Sequence, residues 1–504
     1  MNGRDANGAD VNGPDADGSD LNGADVNGSD ANGPDANGPG ADGPAVNHDE
    51  FSVESVYAEL LGRAPENKME PRLAPLFRAM DVLGEPNKAF PIIHITGTNG
   101  KTSTARMIES GLRAHGLRTG RYTSPHLSRV TERISIDGEA VPDETFVRIW
   151  DEIRPYLQIV DSELEAAGQP RLTYFECLTI LGFAVFADEP VDVAVIEVGL
   201  GGITDATNVG DGRVAVVTPI SLDHTDLLGS STGEIAMEKA GIIKEGAFLV
   251  SAAQPVDAAE VLLQTARQKH AEFRFAGVEF GVESRSVAVG GQLVTIQGLA
   301  GRYPDLLLPL HGAHQAENAA VAVAALEAFF GGGTRELDID VVRETFEKAT
   351  SPGRLEVLRT APTVVVDAGH NPDGIRVSAE ALQEAFSFGK LVLVLGVLRE
   401  KDAEGILRQL KESFGDMAEE ICLTQSNSPR AVPADELADL AIDLGWGEEN
   451  VHVAGKLDDA IEWAVERAES NYDLAGAVLI TGSITLVAEA RILLGRPGAD
   501  TEGA

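Results

Sequence analysis

Two apolar runs near the middle of the chain constrain its fold most. Residues 191–198 and 214–219 are apolar at most positions and lack the strict alternation of a strand with one solvated face. Such runs are typical of strands buried on both faces of a parallel sheet, which helices must cover. The same reasoning predicts further strands at 89–95, 363–366, 391–395, 420–424 and 478–481, and helices at 103–115, 317–330 and 374–386. This alternation predicts an α/β protein with mostly parallel sheets.

The turn Ser351-Pro352-Gly353-Arg354 separates two such series of strands and helices. We therefore predict a larger α/β domain over residues 51–351 and a smaller, Rossmann-like α/β domain over residues 352–504. Residues 1–50 repeat a unit close to Asn-Gly-x-Asp-x and contain no aromatic residue. The glycines fall too early for an EF-hand calcium loop, and this composition cannot offset the entropy of ordering. The sequence therefore predicts a disordered acidic tail before the two domains.

The chain is strongly acidic, with 80 Asp and Glu against 40 Lys and Arg and a formal net charge of −40. Ten Asp, one Glu and one Arg in the first fifty residues account for −10, so −30 remains on the rest. This charge disfavours nucleic acid and anionic membranes as partners, because both attract Lys and Arg. The sequence shows no run of about 18 apolar residues and no basic and apolar leader, so neither a membrane span nor a secretory signal is expected. Two cysteines are too few for a disulfide scaffold, so we expect a reducing cytoplasm, and we predict a monomer.

The strongest motif is Ile95-Thr-Gly-Thr-Asn-Gly-Lys-Thr-Ser103, which joins a predicted strand to a predicted helix. Its two glycines allow a tight turn whose N–H groups face an anion at the start of the helix. Lys101 can neutralise the β- and γ-phosphates of a nucleotide, and the Thr102 hydroxyl can reach Mg²⁺ or a phosphate. Ile95 stands where a complete P-loop motif has its first glycine. The strand–loop–helix context still predicts a nucleotide site, so residues 51–351 are expected to form a P-loop ATPase domain.

Two more strands of the first series end in polar residues near this loop. Glu197 ends the run 191–198, and a carboxylate at that position is where a Mg²⁺ ligand is expected. A solvated strand-end carboxylate explains Glu197 equally well. His224 follows the run 214–219, at the strand exit where site residues gather. A lone histidine is more often structural, but three strand ends converge here, and together they predict one site.

The second series contains a similar strand end, Asp367-Ala-Gly-His-Asn-Pro-Asp373. Its Asp and His side chains can reach a ribose or phosphate across a cleft, while an Asx-type turn at Asn371-Pro372 explains the same residues. Lys239 is, by itself, an ordinary solvated charge on a helix. Cys177 and Cys422 lie in apolar runs and are interpreted as small hydrophobic residues.

Ten motifs follow one another along residues 51–504. They are HITGTNGKTS (94–103), YTSPHL (122–127), LTYFE (172–176), EVGLGGITDATNV (197–209), SLDHTDLLG (221–229), EKAGIIK (238–244), HGAHQAENAAVA (311–322), PGRLE (352–356), DAGHNPDG (367–374) and TGSITLVAEAR (481–491). In this order they resemble the folylpolyglutamate synthase/dihydrofolate synthase family, within the Mur ligase superfamily of ATP-dependent amide ligases. The resemblance covers essentially the whole chain after the tail.

The resemblance implies a ligase that adds L-glutamate to dihydropteroate, to folates or to both. The substrate carboxylate attacks the γ-phosphate of ATP to form an acyl phosphate, and the amine of glutamate then displaces phosphate. The implied cofactors are ATP, two Mg²⁺ ions, a carbamylated lysine and a monovalent cation.

The resemblance also implies roles for individual residues. The expected catalytic residues are Lys101, His224 and Lys239. The expected ATP-binding residues are Gly97, Thr98, Asn99, Gly100, Lys101, Thr102, Ser103, Asn318, Arg354, Asp367 and His370. The expected metal ligands are Ser124, Glu197, His224 and Lys239 in its carbamylated form. The residues expected to line a pterin pocket are Thr173, Phe175, Asp205 and Ala206.

Three positions depart from the family pattern. Thr102 stands where the family usually has glycine, Ile203-Thr204 replaces a common Arg-Leu pair, and Ala368-Gly369 reverses the usual Gly-Ala order. The missing arginine changes the charge expected around the substrate pocket. Two alternatives stay open. A peptidoglycan Mur ligase is favoured by GTNGKTS and opposed by TSPHL, DATN and PGRLE. An inactive ATP-binding scaffold would be expected to lose residues such as Lys101 and Glu197.

Overall fold

The structure, a computed structural model, describes residues 52–64, 72–470 and 476–495. The tail predicted over residues 1–50 lies outside the described residues. The helices are α1 (Val53–Leu61), α2 (Ala74–Val82), α3 (Lys101–Ala114), α4 (Asp143–Ala166), α5 (Tyr174–Asp188), α6 (Thr225–Leu228), α7 (Thr232–Lys239), α8 (Val256–Gln268), α9 (Ala313–Gly331), α10 (Ile339–Glu347), α11 (Pro372–Ala385), α12 (Ala403–Phe414), α13 (Ala434–Asp443), α14 (Leu457–Glu469) and α15 (Ile484–Leu493). The strands are β1 (Ile92–Thr96), β2 (Thr119–Tyr122), β3 (Ile134–Ile136), β4 (Glu139–Ala140), β5 (Val193–Glu197), β6 (Gly212–Val217), β7 (Phe248–Ser251), β8 (Glu272–Phe275), β9 (Gly281–Ala288), β10 (Gly291–Gln297), β11 (Arg302–Leu308), β12 (Glu356–Thr360), β13 (Thr363–Asp367), β14 (Lys390–Leu395), β15 (Glu420–Leu423), β16 (Val451–Val453) and β17 (Gly476–Thr481).

The first sheet has eight strands in the order β4-β3-β2-β5-β1-β6-β7-β8. From β2 to β8 all neighbours are parallel, and β3 and β4 add an antiparallel edge. The central strands β1 and β5 are buried at every residue. This pattern confirms the prediction of a mostly parallel sheet from continuous apolar runs.

Helices cover both faces of this sheet. Successive side chains of β1 point to opposite faces of the sheet. Ile93 and Ile95 lie in a core shared with α3 and α9, and Ile92 lies in a second core shared with α4 and α5. The Ala-rich helix α9 packs closely on α3, because a Cβ at Gly111 would lie only 2.4 Å from Leu326 Cδ1. This close approach near the end of α3 fixes the position of α3 relative to α9.

A three-stranded antiparallel sheet, β11-β10-β9, follows the first sheet along the chain. It was not among the predicted elements. Its first strand, β9, has the sequence GVESRSVA and is only partly buried, so it shows no apolar run.

The last sheet has six strands in the order β12-β13-β17-β14-β15-β16, parallel except for the β12–β13 pair. All of its strands follow Ser351, and helices again cover both faces. The α/β class predicted for this part of the chain is confirmed, while the exact boundary at 351/352 stays a prediction. Within the described ranges, no helix is long and apolar enough to cross a membrane.

Candidate active site

Two glycines shape the loop between β1 and α3. Gly97 has φ +144° and Gly100 has φ +85°, values that L side chains rarely adopt. A Cβ would lie 1.9 Å from Thr218 Oγ1 at the first position and 2.6 Å from Asn318 Oδ1 at the second. The N–H groups of the first turn of α3, which begins at Lys101, have no acceptor within the helix. The predicted phosphate loop therefore has the geometry of an anion site at a helix N-terminus.

Two lysine ammonium groups converge on one carbonyl of this loop. Lys101 Nζ donates to the carbonyl oxygens of Gly97 at 3.1 Å and Thr98 at 3.0 Å. Lys239 Nζ donates to the Gly97 carbonyl at 2.8 Å. Burial, and then the charge of Lys101, lower the pKa of Lys239 to about 7, and burial also lowers the pKa of Lys101. The structure thus brings both predicted lysines to the phosphate loop.

Glu197, at the end of β5, lies beside the first turn of α3. The Thr102 hydroxyl lies 2.9 and 3.0 Å from its two carboxylate oxygens, and the backbone of Ser124 also hydrogen-bonds to it. Glu197 is only 1% exposed, and burial raises its pKa to about 7 against the opposing charge of Lys101. Hydroxyl and carboxylate oxygens are the ligands that Mg²⁺ prefers, and a cation here would offset the cost of burying the carboxylate. Thr102 and Glu197 therefore fit one Mg²⁺ ion.

His224, predicted as another metal ligand, is bound by a lysine instead. Lys401 Nζ lies 3.0 Å from His224 Nε2 and 2.9 and 3.1 Å from the carboxylate oxygens of Asp223. Burial, and then the charge of Lys401, lower the pKa of His224 to about 4, so its ring is neutral and accepts the hydrogen bond. Burial would raise the pKa of Asp223, but the hydrogen bond from His370 and the charge of Lys401 hold it below its ordinary value.

As arranged, these residues do not fit a metal ion at His224, because its Nε2 is occupied. Lys239 also contributes an amine and not a carboxylate. Across the described part of the chain, no cluster of three or more His, Cys, Asp or Glu side chains is placed to hold a metal. The structure thus distinguishes a position that fits Mg²⁺, at Thr102 and Glu197, from one that does not.

The loops that follow β1 and β13 meet through amide side chains. Asn371 Nδ2 donates to Asn99 Oδ1 at 3.1 Å, and Asn99 Nδ2 lies 3.4 Å from Asn371 Oδ1. Asn371 also donates to Asp223 at 3.3 Å, and Asn99 to Asp373 at 3.3 Å. Strand-end loops from the two large sheets therefore form one polar network next to the phosphate loop.

Three predicted ATP-binding residues make contacts that shape this region. The N–H groups of Thr98 and Asn99 point to the carbonyl of Pro219 at 2.9 and 3.4 Å. The Ser103 hydroxyl lies 2.8 Å from the Ser351 hydroxyl, and so links α3 to the turn that separates the two series. Their contact with ATP stays a prediction.

The remaining predicted ATP residues differ in how they are engaged. The Asp367 carboxylate accepts hydrogen bonds from Leu355 N–H at 3.0 Å, Gly369 N–H at 2.9 Å and the Ser378 hydroxyl at 2.7 Å. Asp367 thus organises the loops around it.

The guanidinium of Arg354 lines a cleft and forms no hydrogen bond or ion pair with any of the described residues. The cleft draws residues from both series, including Thr102, Arg106, Pro125, His126, Arg354 and Ile484.

The four residues predicted for a pterin pocket are all buried. Thr173 caps α5, and Asp205 caps the short helix that follows it. Phe175 packs against Gly199, where a Cβ would lie 2.5 Å from its ring, and Ala206 is 1% exposed. Phe175 and Asp205 lie against the loop after β5, at Gly199 and Leu200. The contact of all four residues with a pterin stays a prediction.

Comparison with known proteins identifies the family. The Mur ligase middle domain matches residues 95–326, and the Mur ligase glutamate ligase domain matches residues 353–484. The dihydrofolate synthase/folylpolyglutamate synthase of Mycobacterium tuberculosis is 46% identical over 453 residues, which are 86% of this chain and 92% of that protein. The protein of the same name from Bacillus subtilis is 32% identical over 426 residues, or 84% of this chain and 95% of that protein. The chain belongs to the dihydrofolate synthase/folylpolyglutamate synthase family.

Solved structures of this family share the fold. The structure of Mycobacterium tuberculosis folylpolyglutamate synthase complexed with ADP and AMPPCP matches with a TM-score of 0.83 and 44% identity, covering 88% of this chain and 99% of that one. Escherichia coli FolC in complex with DHPP and ADP matches with a TM-score of 0.74 and 30% identity, covering 88% and 97%. These matches confirm the predicted architecture of an ATPase domain followed by a smaller α/β domain.

The departures from the family pattern have visible local consequences. Thr102, where the family usually has glycine, hydrogen-bonds to Glu197. Ile203, where an arginine is common, is 42% exposed, and its N–H donates to the Glu238 carbonyl at 3.0 Å. This chain therefore has a partly exposed apolar side chain at the position where the family commonly has an arginine.

Sequence reasoning missed Lys401, which is central to this family member's polar network. Lys401 follows β14 within six residues of the strand's end. The same signal, a polar residue after a buried strand, had indicated Glu197 and His224. Applied to β14, it would have indicated the charged segment 399–402, which contains Lys401.

Proposed function

We propose that this chain is an ATP-dependent ligase that joins L-glutamate to dihydropteroate, to folates or to both. The observation that carries the proposal is the meeting of the phosphate loop with the strand-end loop of the second large sheet, through Asn99 and Asn371. A ligase that activates a carboxylate with ATP needs its nucleotide and its second substrate in one enclosed place, and this junction offers it. Family membership along nearly the whole length of the relatives supports the same activity.

The first step forms an acyl phosphate. An oxygen of the substrate carboxylate attacks the γ-phosphorus of ATP, and ADP leaves with the electrons of the broken bond. Both reactants are anions, so positive charge must be concentrated where they meet. We propose that Lys101, at the phosphate loop, and Arg354, which lines the cleft, supply it. Thr102 and Glu197 would hold Mg²⁺, which neutralises phosphate charge when bound.

The second step forms the amide. The neutral amine of glutamate attacks the acyl carbon, phosphate departs, and the amine proton is lost. Water must be kept away, because it would hydrolyse the acyl phosphate. The network of Asn99, Asn371, Asp223 and Lys401 closes one side of the junction with hydrogen bonds between the two series.

Lys239 is proposed to be carbamylated. Its amine is buried, its pKa is lowered to about 7, and its nitrogen donates to the Gly97 carbonyl. Carbon dioxide reacts with neutral amines, so a lysine that loses its proton near pH 7 is suited to this modification. The carbamate would turn a cation into an anionic oxygen ligand for a second Mg²⁺ ion.

The finer assignments extend this proposal. Thr173, Phe175, Asp205 and Ala206 are proposed to line the pterin pocket, since all four are buried and two of them, Phe175 and Asp205, lie against the loop that follows Glu197. A monovalent cation is proposed as a further cofactor. The division into residues 51–351 and 352–504 is proposed as the domain boundary. The acidic composition supports the absence of nucleic-acid and anionic-membrane partners. We also propose that the protein is a cytoplasmic monomer.

The test is phosphate release from ATP with L-glutamate and one of three acceptors: dihydropteroate, tetrahydrofolate or a UDP-muramyl peptide. We expect turnover with dihydropteroate, tetrahydrofolate or both, and a product one glutamate heavier by mass spectrometry. Turnover with the muramyl peptide alone would establish the peptidoglycan ligase instead. ATP binding without turnover on any acceptor would establish the inactive scaffold.

A further inference from the structure

Lys401 is held in place by its own loop. Its N–H donates to the Leu398 carbonyl at 3.0 Å, and the next residue, Asp402, caps α12 by accepting from Gly405 N–H at 2.8 Å. The Lys401 side chain is only 9% exposed. The loop therefore fixes where this ammonium group lies, and it cannot be treated as a mobile surface charge.

The ammonium group lies among three acceptors. Two are the carboxylate oxygens of Asp223, which is itself 12% exposed, and the third is His224 Nε2. A lysine ammonium has three N–H donors, so this arrangement uses all of its capacity. A carboxylate and a neutral imidazole are also a donor set that divalent ions such as Mn²⁺ accept. The lysine thus sits where a metal ion would otherwise bind.

The backbone of His224 supports this interpretation. Its φ is +51°, in the left-handed region that residues other than glycine rarely adopt. A conformation of this kind persists only where the surroundings impose it, and such residues cluster at functional sites. The imposed conformation places the imidazole next to Asp223 and within reach of Lys401.

We propose that the ammonium of Lys401 is an internal cation that occupies the site formed by Asp223 and His224 and excludes a divalent ion from it. A metal ion and an ammonium group cannot share these ligands, because the two positive charges would be in contact in a poorly solvated place. A metal ion can bind His224 only after Lys401 has left. Asp223 and His224 belong to the first series of strands and helices, and Lys401 belongs to the second. Metal binding at Asp223 and His224 is therefore coupled to movement of the second series away from the first.

The proposal is tested by binding of Mn²⁺ alone to the full chain without nucleotide, with free Mn²⁺ measured by electron paramagnetic resonance. The variants are Lys401→Met, Lys401→Arg and Lys390→Met. Lys390 is the matched control, because it is also ion-paired, with Glu420, but lies at the far end of β14. We expect Lys401→Met to bind one more Mn²⁺ per chain than the wild type, or the same number at least tenfold more tightly. The Arg variant and the Lys390 control should match the wild type.

A second variant locates the gained site. Adding His224→Asn to Lys401→Met should abolish the extra Mn²⁺ binding, while Mn²⁺ at Thr102 and Glu197 should remain. Equal Mn²⁺ stoichiometry and affinity in Lys401→Met and the wild type would overturn the proposal. So would a gained site that survives the loss of His224.

A measurement on the wild type covers the case in which Lys401→Met does not fold. Lysine acetylation by acetic anhydride, read by mass spectrometry, reports which amines are free. Increasing Mn²⁺ should raise the labelling of Lys401 and leave that of Lys390 unchanged. Unchanged labelling of Lys401 up to the highest Mn²⁺ concentration would contradict the proposed exchange.

Discussion

At the scale of residues, the site consists of a few placed cations in a chain whose formal net charge is −40. Lys101 and Lys239 share the Gly97 carbonyl, Lys401 pairs with Asp223, and Arg354 lines the cleft. Each of these cations comes from a different segment of the chain, and the net charge of the chain does not indicate where any of them lies. We therefore expect binding of polyanionic substrates to depend on these individual side chains more than on the net charge of the molecule.

Lys101→Ala should remove this charge from the phosphate loop. We expect kcat/KM for ATP to fall by a factor of about 10³, or about 4 kcal/mol of transition-state stabilisation. Steady-state ADP formation measures the effect. Lys244→Ala, which alters a lysine bonded to the Asn208 carbonyl away from this loop, serves as a control for general disturbance. Near-normal turnover of Lys101→Ala would refute the assigned role.

His94 should make stability depend on pH. It is fully buried in β1, its Nε2 lies 2.9 Å from Thr207 Oγ1, and burial, then the charge of Lys244, lower its pKa to about 3. Between about pH 6.5 and pH 3 the unfolded chain binds a proton that the folded chain does not. The free energy of unfolding should therefore fall as the pH drops below about 6.5, by up to about 1.4 kcal/mol per pH unit from this group.

His94→Gln retains an amide donor toward Thr207 and removes the titrating ring. Urea unfolding of the variant at pH 7, 6 and 5 should show a shallower loss of stability than the wild type. Parallel pH dependences for the two proteins would show that His94 titrates alike in both states.

At the scale of elements, the close contact of α3 and α9 positions the phosphate loop. Gly111 of α3 faces Leu326 of α9 without room for a side chain, and Asn318 of α9 contacts Gly100. Both contacts depend on the same helix pair. Their packing therefore links the hydrophobic core to the geometry of the loop.

Gly111→Val should destabilise the chain by about 1–3 kcal/mol, because the added methyl groups meet the Leu326 side chain. Leu326→Ala in the same chain should recover part of this loss, since the two changes are complementary in volume. Urea unfolding of both single variants and the double variant measures the coupling. Gly455→Ala, where no heavy atom lies within 4 Å of the new Cβ, should be nearly neutral. Simple additivity of the two changes would contradict direct contact.

At the scale of the whole molecule, the two large sheets meet at their strand ends, and the chain as a whole carries a large excess of negative charge. Arg285, on the three-stranded sheet, forms a two-pronged ion pair with Glu384 of α11, at 2.6 and 2.7 Å. The Asn99–Asn371 contact joins the two large sheets at another point. These specific contacts act against the repulsion expected from an excess of negative charge.

Salt should therefore stabilise the molecule. Raising NaCl from about 0.01 M to about 1 M shortens the Debye length from about 30 Å to about 3 Å and screens this repulsion. We expect Tm, measured by calorimetry, to rise by several degrees, and to rise equally in KCl because the effect is general. A Tm that falls with salt would mean that specific ion pairs outweigh the net charge.

Local sequence patterns predicted much of the fold. The apolar runs predicted β5 and β6 to within about two residues of their observed ends, and the turn at Ser351 separates the strands of the first and last sheets. The three-stranded sheet was missed because its first strand, β9, is only partly buried and shows neither a continuous apolar run nor a clear alternation. The phosphate loop was found because its glycines and its lysine must be adjacent in the chain to bind phosphate.

By itself, the sequence determined the α/β class, the phosphate loop and, through its ordered motifs, the ligase family. These depend on neighbouring residues, since burial on both faces and a Gly-rich turn are encoded locally. Only the tertiary structure decided that Lys401 lies against His224, 177 positions away, with its ammonium group 3.0 Å from the ring nitrogen Nε2. A strand-end rule indicates that a residue faces the edge of its sheet. Which residue of another sheet it meets depends on how the two sheets pack, and no local pattern contains that information.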